Sequence, residues 1–199
     1  MAANVATEKL AAPALDGRYR IGAWVAVSSI AMLFTALSSA YVVRAASAPD
    51  WRPLTMPRVL WLSTFLLLVS SGTMEYARRN LRSYFARGYV RWLALTALLG
   101  FAFLAAQIVA WWKLAQQGIF LASNPHSSFF YLLTALHGLH LVGGLLAVGF
   151  LLLIAGRVSS IEARATKGRG FTEAVAIYWH FLDGLWIYLF VLLFVWRSL

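Results

Sequence analysis

Between Ser128 and Ala155 the chain reads SFFYLLTALHGLHLVGGLLAVGFLLLIA, with no Lys, Arg, Asp or Glu. That is about 28 residues, where a helix needs only ~20 to cross the hydrocarbon of a bilayer. A water-soluble domain has no place for such a segment; a membrane bundle does. Its only ionisable groups are His137 and His140, near the middle. Three residues apart, they share a helix face. Polar side chains at membrane depth are costly and usually face protein. The segment therefore belongs inside a bundle, with its imidazoles turned to a metal, a haem or other side chains.

The rest of the chain supplies that bundle. It is 61% hydrophobic with nine Trp, more apolar surface than a soluble domain of this size can bury. Five spans are expected, at about residues 21–43, 58–77, 92–114, 128–155 and 174–196. They follow a polar tail over 1–19, so that 20–199 forms one all-α integral membrane domain. No alternating pattern of strand length appears. The loop over 45–57 holds Pro49, Pro53 and Pro57, with Trp51 as an interfacial anchor. Asn124-Pro125 closes the loop before the fourth span, where Ser127 or Ser128 is expected to cap the helix. Cysteine is absent, which excludes disulfides, iron–sulfur ligation and thiolate copper centres. The net charge of +10 sits in loops between apolar spans, which points to lipid headgroups and topology and not to nucleic acid. Most Lys and Arg fall on the tail, the second loop and the fourth loop. The positive-inside rule then places the N-terminus in the cytoplasm and the C-terminus outside. Met1–Arg18 is polar and shows no cleavable signal pattern.

Four further ionisable features lie within or near the spans. The second span ends in SSGTMEYARR, placing Glu75 before the helix has left the membrane, with Arg78, Arg79 and Arg82 following. The fifth carries YWHFLDGLW, with His180 and Asp183 on one face. At ~1.5 Å per residue, Asp183 matches His140 in depth and Glu75 matches His180, the latter pair roughly 10 Å to the cytoplasmic side of centre. A polar cluster among the second, fourth and fifth spans is expected from these pairings. Plainer readings stand beside it: the histidines are satisfied bundle residues, Glu75 pairs with Arg78 and Arg79 at i+3 and i+4, and Gly138, Gly143, Gly144 and Gly149 allow close packing.

SSFFYLLTALHGLHLVGG followed by YWHFLDGLWIYLF resembles the last two helices of the haem–copper oxidase subunit III family. SSGTMEYARR and WWKLAQQGIFLASNPHSSFF resemble an earlier helix end and the loop before the histidine helix, so the likeness spans most of residues 21–196. The resemblance implies an all-helical subunit, divided by a lipid-filled cleft, that binds no haem or copper itself. It packs directly on subunit I, in a complex with subunit II and others, where haem and copper reside. It would stabilise that subunit, bind phospholipid and support proton uptake on the cytoplasmic side of a bacterial inner membrane. The chain is an enzyme component only as part of that oxidase. It looks like the five-helix form, lacking the first two helices of seven-helix members. His137, Gly138, His140, Trp179, His180, Asp183 and Trp186 match motif positions and are read as structural and lipid-cleft residues, with Glu75 beside them. Arg78, Arg79 and Arg82 are the expected headgroup contacts. No catalytic or metal-binding residue is expected. The stretch MPRVLWLST lacks the carboxylate that many members carry early in that helix, and Glu75, at the other end, is not its equivalent. Two other classes fit the residues less fully: a cytochrome b-type subunit with His137 or His140 and His180 as axial ligands, and a small transporter using Glu75 and Asp183 as proton sites.

Overall fold

The computed structural model describes the backbone of residues 2–47, 57–82, 86–157 and 161–195, and within these the side chains of residues 17–47, 57–81, 88–156 and 169–194. Five helices run in chain order: α1 Ala2–Ser47, α2 Val59–Arg82, α3 Ala86–Gln116, α4 Pro125–Arg157 and α5 Ile161–Val195. Each contains a stretch long and apolar enough to span a membrane, at Gly17–Ser47, Val59–Leu81, Gly88–Gln116, Pro125–Gly156 and Arg169–Phe194. No strand occurs among the described residues.

The helices outrun the expected spans at several ends. α1 begins at Ala2, inside the stretch read as a tail, because that stretch is rich in Ala, the strongest helix former. α5 begins at Ile161, so most of the fourth loop is its first turns. α2 and α3 continue through Arg78, Arg79 and Arg91, leaving a short connection where a dense basic loop was expected. Trp51 lies outside the described residues, as does the side chain of Arg82.

The corner between α3 and α4 is built from local chemistry. Gly118 has φ of 73°, a left-handed conformation that costs a residue with a Cβ. It lets Ile119 N–H reach the Leu114 carbonyl and Gly118 N–H reach Ala115, both at 3.0 Å, so the last carbonyls of α3 are satisfied. Asn124 caps α4: its Oδ1 accepts from Ser127 N–H at 3.0 Å, and Ser127 Oγ accepts from Asn124 N–H at 3.1 Å. Asn124 is thus the cap and Ser127 its reciprocal partner, with Pro125 at the first helical position.

α5 is the hub. It packs on α1, α2 and α4; α2 and α3 form the most extensive pairing; α4 also packs on α3 and α1. Rings mark three levels. At the end holding the α2–α3 connection, Tyr19 and Phe150 meet Phe171 edge-on, and Tyr89 and Thr172 share a 3.0 Å hydrogen bond. Trp179 occupies the middle. At the far end Trp61 packs on Phe190 and Phe194, and Tyr41 on Phe129.

Candidate functional site

The centre of the bundle is organised around Trp179, whose exposure is 0%. Two glycines make room for its indole. A Cβ at Gly100 of α3 would lie 3.0 Å from Trp179 Cη2, and one at Gly144 of α4 would lie 3.3 Å from its Cε3 and Cζ3. The indole N–H then donates to Ser70 Oγ of α2 at 3.1 Å. One side chain of α5 therefore touches α2, α3 and α4.

That hydrogen bond is one rung of a ladder along α2 and α5. Trp186 Nε1 donates to Thr64 Oγ1 at 3.0 Å, and Ser71 Oγ and His180 Nδ1 share a bond of 2.7 Å. One turn further on, His180 Nε2 lies 3.9 Å from Glu75 Oε2. Hydroxyls on α2 meet ring nitrogens on α5 because the antiparallel helices keep one register across Thr64, Ser70 and Ser71. In lipid each such bond contributes roughly 0.6 kcal/mol, up to about 1.7.

Glu75 gathers its charge partners locally. Arg78 Nη2 lies 2.8 Å from Oε2, and Arg79 Nε lies 3.0 Å from Oε1. The i+3 and i+4 ion pairs read from the sequence are present, and the His180 ring approaches the same carboxylate from across the seam.

The expected single cluster of α2, α4 and α5 is not formed, because α5 stands between α2 and α4. The Asp183–His140 pair is absent as well. Asp183 is 4% exposed and neither carboxylate oxygen has a hydrogen-bond partner. Ser71 lies beside that carboxyl, but its hydroxyl makes its geometrically sound bond to His180. His140 instead donates from Nδ1 to the Leu136 carbonyl at 2.6 Å and turns its ring edge-on to Phe34 of α1. His137 is fully buried against Trp186 and Phe103, with ring centroids 5.1 and 5.7 Å away, and neither of its nitrogens has a hydrogen-bond partner. Gly138 brings α4 against Leu104 of α3, its built Cβ lying 3.7 Å from that side chain.

This arrangement does not suit a haem held between two histidines. His180 turns to α2, His140 to α1, and His137 is enclosed by the rings of α3 and α5. Among the described residues no three His, Cys, Asp or Glu side chains group as metal ligands.

Three residues that build the centre escaped the sequence reading: Gly100, Gln107 and Thr96. Gln107 Nε2 donates to Ser63 Oγ at 3.1 Å, and the hydroxyls of Thr96 and Thr73 share a bond of 2.8 Å. The available signal was an isolated polar or glycine residue inside an apolar helix, which in lipid must face a neighbour. A separate groove of about 430 Å³ opens between α1, α4 and α5, lined by Gly22, Ala23, Gly143 and Ala147, with Arg18 and Tyr19 on α1 beside them.

Residues 10–198 match the family model described as cytochrome c oxidase subunit III. A probable cytochrome c oxidase subunit 3 of Mycobacterium tuberculosis (strain ATCC 25618 / H37Rv) is 33% identical over 178 residues, which is 87% of this chain and 86% of that protein. The cytochrome c oxidase subunit 3 of Synechocystis sp. (strain ATCC 27184 / PCC 6803 / Kazusa) is 32% identical over 167 residues, 82% and 69% respectively. That of Bacillus sp. (strain PS3) is 26% identical over 185 residues, 91% and 87%. With its five membrane-spanning helices and its histidine and tryptophan motifs on adjoining α4 and α5, the chain belongs to the cytochrome c oxidase subunit III family.

Proposed function

We propose that this chain is the non-catalytic third subunit of a proton-pumping haem–copper oxidase that reduces oxygen to water in a bacterial inner membrane. The observation that carries the reading is the family match over nearly the whole chain. The geometry supports it: the motif residues Trp179 and Trp186 serve interhelical packing and hydrogen bonding, and His137 packs between the rings of Trp186 and Phe103. Its work is to stabilise the haem–copper subunit it contacts, hold phospholipid and keep proton uptake fast. The N-terminus is cytoplasmic, so the end carrying the α2–α3 connection faces the cytoplasm, as the placement of Lys and Arg favours. Arg79 and Arg82 attract anionic headgroups there, at about 1 kcal/mol per basic residue near the surface, while Arg78 is turned to Glu75. The groove between α1, α4 and α5 has the apolar lining an acyl chain needs.

Affinity purification through a tag on this chain in mild detergent, with mass spectrometry and a reduced-minus-oxidised spectrum, tests the reading. Haem–copper subunits co-purify, and the haem signal departs when this chain is stripped from them. A haem signal retained by the isolated chain overturns it. For the lipid role, delipidation is expected to slow turnover and proton uptake; full retention of both would refute that part.

A further inference from the structure

The seam between α2 and α5 carries ionisable groups on the outside of the bundle, at a depth where lipid is a poor neighbour. The α2 span runs from Val59 to Leu81. Ser71, bonded to His180, therefore lies about 18 Å from one end and about 15 Å from the other, so His180 stands at mid-span. Glu75, one turn on, is about 9 Å from the nearer end. These side chains are not sealed: His180 is 35% exposed, Glu75 27% and Arg78 30%. The patch is rich in donors. Two guanidinium groups and an imidazole surround one carboxylate, so N–H donors outnumber the acceptor they share.

The surface around the patch is shaped for close approach. Gly72 and Gly184 are both exposed, and nothing lies within 4 Å of a Cβ built on either. Gly72 follows Ser71, and Gly184 is one turn from His180. Exposed small residues let a second helix backbone come near in a membrane, and intramembrane ionisable residues face protein in preference to lipid. Leu68 and Ile187 border the patch and are exposed.

We propose that the α2–α5 seam is the face through which this chain docks a transmembrane helix of its partner subunit, and that the partner helix offers an acceptor, a carboxylate or a backbone carbonyl, to Arg78 and His180. The excess of donors sets the chemistry of the partner, and the two open glycines set its distance. The inference rests on the subunit reading above and adds which face makes the contact.

The test uses the whole complex, purified through a tag on this chain. A photoreactive benzophenone side chain at Leu68 or Ile187 is expected to form adducts with the haem–copper subunit, and one at Leu146 of α4, which is 71% exposed, only with lipid. Gly72→Leu and Gly184→Leu are expected to lower haem recovered per tagged chain roughly tenfold. Gly149→Leu, also at a site with nothing within 4 Å of its Cβ, retains it. Adducts from Leu146 and none from Leu68 or Ile187 would move the contact to α4 and overturn the proposal. Full haem recovery in both seam variants would also overturn it, as would loss of anionic phospholipid with haem retained, which marks a headgroup site. An unaltered tagged chain that recovers no haem–copper subunit overturns the subunit reading itself, a result separable from all of these.

Discussion

Gly100→Ala is the sharpest probe of the bundle centre, because two physical effects there have opposite signs. Replacing a helical glycine by alanine is favourable by about 1 kcal/mol where space allows, through helix propensity and unfolded-state entropy. At Gly100 the added Cβ would lie 2.9 Å from Leu145 Cδ2, 3.0 Å from Trp179 Cη2 and 3.3 Å from Trp179 Cζ2. Leu145 presents the end of a flexible side chain and can swing. Trp179 cannot: Ser70 holds its N–H at 3.1 Å and Gly144 closes its other side. Overpacking a filled site costs about 1–3 kcal/mol, so the substitution is expected to be neutral to destabilising by up to about 2 kcal/mol. Gly149→Ala supplies the reference, since nothing lies within 4 Å of that Cβ. The expected gap between the two variants is thus about 1–3 kcal/mol. The assay is reversible SDS titration of the chain in mixed micelles, followed by far-UV circular dichroism. Trp179→Phe removes the Cη2 and Cζ2 atoms that make the clash, so in that background Gly100→Ala should recover most of its loss, a coupling on the order of 1 kcal/mol. If Gly100→Ala stabilises as much as Gly149→Ala, the indole is not seated in this slot and the account of the centre fails.

Further outcomes follow from single contacts. Ser70→Ala, which removes the acceptor of the Trp179 indole, is expected to cost about 0.6–1.7 kcal/mol in the same titration; no change would show that the rung carries no weight. Asp183→Leu is expected to leave the isolated chain as stable or to stabilise it, by about 1–3 kcal/mol, since an unpartnered buried polar group is removed. A loss above about 2 kcal/mol would reveal a partner for that carboxyl. Gly118→Ala forces a Cβ into a left-handed residue and should lower stability by about 1 kcal/mol, and Asn124→Ala should cost a similar ~1 kcal/mol through the lost α4 cap. Unchanged midpoints would show that this corner is set by the helices and not by its own turn chemistry.

The helix count and type were legible because apolar run length alone separates membrane helices from everything else in this chain. The Glu75–His180 approach was legible too, although the α5 span, running Arg169–Phe194, puts His180 at mid-span and not roughly 10 Å to one side of it. Depth arithmetic failed for Asp183 and His140. Depth places two residues on one level but says nothing about azimuth, and His140 is rotated toward Phe34 of α1. Gly100 was passed over for a related reason. A lone glycine in an apolar helix announces a close neighbour, yet which ring arrives depends on the rotation of α5, which no local pattern records. The extended ends of α1 and α5 were missed because hydropathy reports where lipid ends, while a helix can continue beyond that point into polar sequence.

The central place of α5 bears on how the protein is made. α5 follows the other four helices in the chain, yet it is the element they share. Until it arrives, Thr64, Ser70 and Ser71 of α2 have no interhelical partner, and the recess between Gly100 and Gly144 is vacant. A nascent chain with four inserted helices therefore presents polar hydroxyls and an open furrow to the bilayer, a loose intermediate that membrane proteases and insertion chaperones are suited to detect. Entry of α5 closes the furrow with Trp179 in one step. Folding then commits when α5 enters, and lesions in α5 should be read by the cell as failures of folding before they are felt as failures of respiration.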